Sequence, residues 1–537
     1  MITDKIFHFR KLAVPAVVLL LTATACTRNF EKWNTNQHEA SEEMMATDNL
    51  KTGAFFSQMQ RNVVLFKDGT NLSSDYQVAQ GLTSDVYSGY IAPTGTWFGG
   101  VHNGSYNFIT SWIERTFTSG FASVMPAWQA IDKAASEQGQ PEVAAMATIV
   151  KVQAMHRVAD AYGPIPYINF GAGNLQNNYN SLQDVYIKFF EELGQAIDVL
   201  TLFAQGNPGV PLLKRYDHIY EGNVVNWIKF ANTLRLRLAM RVVYADEQLA
   251  KTEAEKAAAH PFGFISNANE RAALQHSLIN YYHPLYEIAY DFNAGEARMS
   301  ASMDSYMNGY NDPRRAAYFT KANDGNYHGV RQGIVTTNWT PYTSAAISNL
   351  NMNISSTQIV WMTAAESYFL RAEGALRGWN MGGAAGEFYN QGIAASFAEN
   401  GLPSTDAANY AADETSTPIP FTDNSGQSGN NAAAPGSITI KWNDADPFED
   451  NLGRIITQKW IAMYPDGPEG WAEFRRTGYP RLFPVVTNRS NGTIPGFVRR
   501  IPYPQSEYNN NMAGVQSGVA LLGGADGGGT RLWWDKK

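Results

Sequence analysis

The chain has 537 residues, of which 44% are hydrophobic, 12% aromatic and 17% charged, so it contains ample core-forming material and is not disordered over most of its length. Its net charge is −8 and it has no block rich in Lys and Arg, which excludes a general attraction to nucleic acid or anionic lipid. We therefore expect its partners to be neutral or polar molecules, or another protein.

The N-terminus has the pattern of an export signal. Basic residues precede the ten-residue apolar stretch Leu12–Leu21, which is too short for a membrane span of about 20 residues. The only cysteine, Cys26, follows Ala23-Thr24-Ala25 and is similar to the lipobox of bacterial lipoproteins, the alternative being a leftover thiol in a cleaved leader. We predict a lipoprotein signal peptide over residues 1–25, lipidation of Cys26 and a lipid-anchored tether over 26–45.

Apolar residues three or four positions apart predict a mainly α-helical architecture. In chain order, the helical windows are 124–131 and 143–158, separated by Gly139 and Pro141, then 185–200, 224–238 with Asn223 as N-cap, 361–376, 389–397 and 452–463. No 34-residue period is visible in the sequence itself.

Long segments rich in Gly, Asn, Ser, Thr and aromatic residues separate these windows, at about 68–117, 275–355, 401–450 and 480–537. Loops of such length in a folded body tend to be functional. We expect Asp406–Ser437, which has few large apolar residues, to be mobile. The glycine-rich run Leu522–Gly529 has no following helix, so we interpret it as flexible chain and not as a phosphate-binding loop.

Several segments spread over the chain form a combination that is more specific than any of them alone. They are NFEKWNTN (29–36), RVADAYGPIPY (157–167), WIKFANTLRLR (227–237), NDPRR (311–315), AAESYFLRAE (364–373), GWAEFRRTGYP (470–480) and RIPYP (500–504), with Glu507 and Asn511. Together they resemble the SusD/RagB family of Bacteroidetes outer-membrane lipoproteins, particularly its SusD-like subgroup.

The resemblance implies one α-helical domain over residues 46–537, built from tetratricopeptide-like helix pairs, with long irregular loops at about 68–117, 275–355 and 401–450 that carry the ligand surface. It also implies a cell-surface, lipid-anchored protein that caps a SusC-like TonB-dependent transporter and delivers oligosaccharides, or in some members peptides. Exported surface lipoproteins of these bacteria often have acidic residues directly after the cysteine. Here only Glu31 follows, which leaves retention in the periplasm as an alternative.

Sugar binding requires flat aromatic faces for the apolar side of a pyranose and polar groups for its hydroxyls. Two loops contain both kinds of group among glycines that leave side chains unobstructed. The candidate ligand-binding residues are Trp97, Phe98, His102 and Asn103 in the first loop, and Tyr327, Arg331, Asn338, Trp339 and Tyr342 in the second. For each aromatic residue, anchoring of the loop in a local core is an equally good interpretation.

Charged residues in the family-like segments are most simply structural. We interpret Arg475 and Arg476 beside Glu473, and Glu366 with Arg371 and Glu373, as ion pairs that hold helices and loops together. The acids Asp444, Asp446, Glu449 and Asp450 are weak candidates for a structural calcium site. They lack the twelve-residue calcium-loop pattern, and a solvated acidic turn is the favoured interpretation. No other cofactor is predicted.

No zinc-protease, Gly-x-Ser-x-Gly or phosphate-loop motif occurs, and no cysteine remains once Cys26 is lipidated, so we predict a protein that is not an enzyme. The leading hypothesis is a lipoprotein that binds oligosaccharide and delivers it to the transporter. Peptide capture in the same architecture is the alternative. A lipid-anchored glycoside hydrolase is the third hypothesis, because such enzymes need only two carboxylates placed by the fold.

Overall fold

A computed structural model describes residues 49–66, 74–95, 97–173, 177–292, 295–334, 336–352 and 356–537. The predicted signal peptide, Cys26, the tether and the predicted domain start at residue 46 lie outside the described residues. Thr52–Lys537 form one compact unit. Within the described ranges, no helix is long and apolar enough to span a membrane.

The described residues are mainly helical. The helices of eight or more residues are α1 Leu50–Arg61, α2 Met125–Gln138, α3 Pro141–Tyr162, α4 Leu182–Gly206, α5 Val224–Val242, α6 Glu247–Ala258, α7 Ala301–Gly309, α8 Ala364–Leu376, α9 Ala385–Glu399, α10 Ser404–Ala411, α11 Phe448–Ala462, α12 Gly467–Thr477 and α13 Met512–Leu522. Shorter α-helices are Ser84–Tyr87, Arg115–Ser119, Pro284–Tyr286, Arg315–Tyr318, Thr340–Thr343 and Gln505–Asn510. Consecutive helices pack in pairs, such as α2 on α3, α3 on α4, α5 on α6 and α8 on α9. These pairs confirm the predicted helical architecture.

Local signals explain where several helices begin and end. Gly139 ends α2 with a φ of +65°, and Pro141 begins α3 in the first turn, where a missing N–H costs nothing. The predicted N-cap Asn223 accepts a hydrogen bond from the backbone N–H of Asn226. The helix that was predicted to begin at Trp361 begins later, at Ala364. Thr363 caps α8, and the preceding residues belong to a strand.

Four short strands form two antiparallel pairs. Strand β1 (Ile91–Pro93) pairs with β3 (Ala297–Met299), and β2 (Ala272–Ala273) pairs with β4 (Val360–Met362). In the first pair Ile91 lies opposite Met299, and a further bridge joins Ser300 to Val330. This pairing places the loop that follows β1 beside the segment around Val330. These two segments are the predicted ligand loops.

Two segments that we predicted to be mobile or flexible make specific contacts. Within 406–437, α10 extends to Ala411, and Phe421 pairs with Ala432. In the glycine-rich run, Asp526 pairs with Arg500 and accepts a hydrogen bond from Tyr508 Oη at 2.8 Å. A helix and a backbone bridge therefore lie in the first segment, and the carboxylate of Asp526 links the second segment to Arg500 and Tyr508.

A buried ion cluster joins α5, α8, α11 and α12. Its members are Arg237, Arg241, Lys459, Arg476, Glu366, Glu373, Glu469 and Glu473. The predicted pair of Arg476 with Glu473 is present at 2.6 Å. Glu366 pairs with Arg237 at 2.5 Å and not with Arg371. Arg475 instead donates to backbone carbonyls, including that of Asp160 at 2.7 Å.

Charges in this cluster balance, and the pKa values of its acids reflect that balance. Burial alone would raise the pKa of Glu469, but Arg241, Arg237 and Lys459 outweigh burial and hold this pKa well below its ordinary value. Burial likewise opposes ionisation of Glu373, yet Arg476 and Arg377 lower its pKa to about 2. Glu373 and Glu469 therefore stay ionised in the interior, and the cluster cross-links four helices.

Candidate functional site

The first predicted ligand loop follows β1 and presents aromatic rings near its start. Phe98 adopts a φ of +50°, and Gly99 and Gly100 continue with φ values of +62° and +83°. A left-handed conformation is uncommon for a residue with a side chain and persists only when its surroundings enforce it. Phe98 is 63% exposed, so this conformation presents an apolar ring to solvent.

His102 and Asn103 lie inside the base of this loop, with exposed fractions of 4% and 0%. His102 Nδ1 accepts a hydrogen bond from Gly104 N at 3.1 Å, and Asn103 Oδ1 accepts one from Ile109 N at 2.8 Å. Burial lowers the pKa of His102 to about 4, so its ring is neutral at physiological pH. The geometry therefore favours loop anchoring over direct ligand contact for these two residues.

Trp112 completes the group of rings in the first loop, although we did not select it from the sequence. Its ring centroid lies 5.9 Å from that of Trp97, at an interplanar angle of 88°, and 5.7 Å from that of Phe98. Trp97 and Trp112 are both half-buried. Trp112 lies within the predicted loop 68–117, but no flanking glycine distinguished it there.

The second predicted loop presents Trp339. This half-buried residue packs against a small core made of Ala92, Val330, Ile334, Tyr342 and Ile347. Tyr342 is 1% exposed, and its hydroxyl donates to Asp423 Oδ2 at 2.8 Å, so it supports the loop from below. Asn338 is exposed, and its Oδ1 accepts a hydrogen bond from Thr340 N at 3.1 Å.

Arg331 and Tyr327 also have structural surroundings. Arg331 is 7% exposed and donates to the carbonyl oxygens of Asn430 at 3.1 Å and Pro484 at 2.8 Å. Tyr327 is half-buried against the main core, and the guanidinium of Arg315 lies 5.5 Å from its ring centroid. Both residues connect loops to the body, so the structure favours loop anchoring over ligand contact for them.

The two loops meet at Gly100 and Trp339. A Cβ atom on Gly100 would lie 3.7 Å from Trp339 Cζ2, and Gln332 Nε2 donates to the carbonyl oxygen of Gly104 at 2.9 Å. We call Trp97, Phe98, Trp112 and Trp339 the aromatic platform. Partly exposed rings held by a fixed backbone can cover the apolar face of a flat, hydroxylated ligand.

The acidic segment 444–450 directs its carboxylates to different partners. Asp444 accepts a hydrogen bond from Trp442 Nε1 at 2.8 Å, Asp446 pairs with Arg454 at 2.7 Å, and Glu449 pairs with Lys537 at 2.5 Å. Asp450 is exposed. In the part of the chain that the structure describes, no three His, Cys, Asp or Glu residues are grouped to hold a metal ion. The geometry favours an acidic turn over a calcium site.

The fold is that of solved SusD homologues. A chitin-binding SusD homologue from Flavobacterium johnsoniae is 40% identical, with a TM-score of 0.85, over 90% of this chain and 99% of that one. A SusD homologue from Bacteroides uniformis is 35% identical, with a TM-score of 0.83, over 91% and 99%. One from Bacteroides vulgatus is 34% identical, with a TM-score of 0.82, over 91% and 98%. No curated protein matches the chain.

These similarities define the class as helical outer-membrane lipoproteins. A family model described as "SusD-like: Susd and RagB outer membrane lipoprotein" matches residues 32–535. The chain belongs to this SusD-like family, and the resemblance inferred from its sequence segments is confirmed.

Proposed function

We propose that this protein binds oligosaccharide on the aromatic platform and delivers it to a SusC-like TonB-dependent transporter, without catalysing a reaction. The observation that carries the proposal is the convergence of Trp97, Phe98 and Trp112 with Trp339 from a second loop. The similarity to a chitin-binding homologue supports it, because that protein is 40% identical over nearly its whole length.

The platform suits weak, repeated capture. Stacked rings bury the C–H face of a sugar, while its hydroxyls exchange water for similar protein contacts and gain little net free energy. Asn338 beside Trp339 is exposed, and we expect its side-chain amide to meet a sugar hydroxyl. Modest affinity follows from this balance and permits release to a transporter.

Oligosaccharides of N-acetylglucosamine, the repeating unit of chitin, are the first ligands to test. We would probe a glycan array with the soluble form that begins at Thr27 and with its Trp112→Ala and Trp339→Ala variants. We expect signals for one glycan class, weakened by both substitutions. Trp442→Ala removes a half-buried tryptophan of the 442–450 segment and serves as the matched control. Equal signals from all four proteins would contradict the platform assignment.

Three further assays test the remaining parts of the proposal. Incubation with the bound glycan should release no product, and release that depends on a carboxylate would instead support the glycoside hydrolase hypothesis. A peptide array should give no signal, and specific peptide capture would support the peptide alternative. Purification through a C-terminal tag from outer membranes should recover a TonB-dependent barrel, and its absence would contradict delivery to such a partner.

We also propose that the lipid on Cys26 anchors the protein at the outer face of the outer membrane. Family membership supports the outer membrane, and the export signal with its adjoining cysteine supports the anchor. Protease treatment of intact cells should degrade the protein. Protection until the outer membrane is broken would favour the periplasmic alternative.

A further inference from the structure

A cavity in the helical body shares no residue with the aromatic platform. Its volume is about 340 Å³, and its walls come from β4, the end of α9 and the segment that follows α11. This volume reaches the lower end of small-molecule pockets, at about 300 Å³. None of the four platform residues lines it, so a ligand in this cavity would be distinct from one on the platform.

One wall of the cavity carries the guanidinium group of Arg271, a half-buried residue directly before β2. Its Nη2 atom donates to Gln358 Oε1, and Gln358 Nε2 donates in turn to Gln275 Oε1 at 3.0 Å. Within the described ranges, Arg271 has no ion pair with a carboxylate, and its Nε and Nη1 atoms make no hydrogen bond although neither is sealed from solvent. Two N–H groups of a positioned cation are therefore open to an anionic ligand.

Most other charged or titratable groups on the wall are paired or neutral. Asp466 pairs with Arg157 at 3.1 Å, and Glu366 pairs with Arg237 at 2.5 Å. Burial lowers the pKa of His283 to about 3, so its ring is neutral at physiological pH. These groups leave the charge of Arg271 to be balanced by one remaining acid at the end of α9.

That acid is Glu399, whose Oε1 atom accepts hydrogen bonds from Ala364 N at 2.8 Å and Ala365 N at 3.4 Å. Burial raises the pKa of Glu399 to about 7, and these hydrogen bonds and the charge of Arg271 oppose the shift only in part. Because part of the Glu399 population is protonated near neutral pH, this residue does not fully cancel the charge of Arg271.

The rest of the wall suits a carbon skeleton with hydroxyl groups. Asn400 Nδ2 donates to the carbonyl oxygen of Ser396 at 2.8 Å, while Asn400 Oδ1 accepts no hydrogen bond in the part of the chain that the structure describes. Ala317, Met352 and Met463 also line the cavity. The wall therefore combines apolar surface for C–H groups with an acceptor for a hydroxyl.

We propose that this cavity binds a small hydroxylated carboxylate of about the size of one sugar acid, with its carboxylate against Arg271 and a hydroxyl donating to Asn400. The site goes beyond oligosaccharide capture, because it selects a charged small molecule with residues that the platform does not use. It holds whether or not the platform binds a glycan.

Glucuronate, one sugar ring with a carboxylate, is the probe, and glucose is its uncharged counterpart. In NMR titrations at pH 8 with the chain from Thr27 to Lys537, we expect glucose to bind at least about tenfold more weakly than glucuronate, because it lacks the charge-assisted hydrogen bonds. Arg271→Gln should weaken glucuronate binding by a similar factor. Arg215→Gln removes an exposed arginine outside the cavity and is the matched control, which should bind like the wild type.

Glu399→Gln tests the electrostatics from the opposite side. Glutamine keeps an oxygen that can accept from Ala364 N and removes the remaining acid of the wall. Because Glu399 is largely ionised at pH 8, this substitution should tighten glucuronate binding. Unchanged or weaker binding would contradict a carboxylate site at Arg271.

Trp112→Ala separates this cavity from the platform, and it should leave glucuronate binding unchanged even where it weakens oligosaccharide binding. The proposal is overturned if glucuronate does not bind, if glucose binds equally well, if Arg271→Gln weakens binding no more than Arg215→Gln, or if Trp112→Ala abolishes binding. Because the Arg271 side chain makes one hydrogen bond, Arg271→Gln should keep the melting temperature of the wild type. The comparison of glucuronate with glucose needs no variant and tests the proposal independently of that stability.

Discussion

The buried ion cluster predicts a large penalty for one isosteric substitution, Glu469→Gln. The Glu469 carboxylate lies 2.5 Å from Arg241, 3.3 Å from Lys459 and 3.7 Å from Arg237, and all of these side chains are at most 3% exposed. Glutamine keeps the shape and removes the charge, so three buried cations lose a shared partner.

Removing one partner of a buried ion pair typically costs about 3–5 kcal/mol, because an uncompensated charge remains in the interior. Domains are stable by only about 5–15 kcal/mol, so this loss should shift the unfolding midpoint clearly. Glu191→Gln is the matched control. Its partner Lys188 lies 3.3 Å away with both side chains partly exposed, and such pairs contribute about 0–1 kcal/mol.

Urea titration of the three proteins, followed by tryptophan fluorescence, would measure the difference in unfolding midpoint. Adding Lys459→Met to Glu469→Gln removes one charge of each sign and should recover part of the lost stability. If Glu469→Gln costs no more than Glu191→Gln, the cluster does not hold the four helices together and the reasoning is refuted.

Three further predictions follow from particular residues. The pKa of Glu399 is raised to about 7 from an ordinary value of 4.5. The wild type should therefore lose roughly 3 kcal/mol of stability relative to Glu399→Gln as the pH rises from about 4.5 through 7. Thermal melts that show the same difference between the two proteins at pH 5 and pH 8 would contradict this. Tyr342→Phe removes a hydroxyl that Asp423, Ser425 and Asn430 contact. It should lower stability by about 1 kcal/mol and change glycan affinity less than threefold. A tenfold loss of affinity with no loss of stability would instead make Tyr342 a ligand contact. Cys26→Ser should move the protein from the membrane fraction to the soluble fraction on cell fractionation, and unchanged membrane retention would contradict lipidation as the anchor.

Helices were predictable because burial imposes a repeating apolar pattern on the sequence. The pair that became α2 and α3 shows this, since Gly139 and Pro141 punctuate it as the structure does. The start of α8 was not predictable in this way. Trp361 and Met362 continue the apolar pattern, but they belong to β4, whose partner β2 lies about 90 residues earlier in the chain.

The candidate site was predictable as two loops and less so as individual residues. Glycines and aromatic residues indicated segments that the structure brings together at Gly100 and Trp339. The anchoring roles of Arg331 and Tyr342 depend on partners about 80 to 150 residues away, at Asp423, Asn430 and Pro484. Local sequence patterns do not contain such contacts. Trp112 was missed for a different reason, because no flanking glycine distinguished it within its loop.

The central claim is that the aromatic platform binds a carbohydrate, and titration calorimetry with a hexamer of N-acetylglucosamine tests it most directly. We expect binding by the wild type and by Trp442→Ala, and affinity at least about tenfold weaker for Trp112→Ala and Trp339→Ala, because losing a stacking ring costs more than about 1.4 kcal/mol. Binding of this hexamer, or of the glycan that the array selects, at equal affinity by all four proteins would contradict the account.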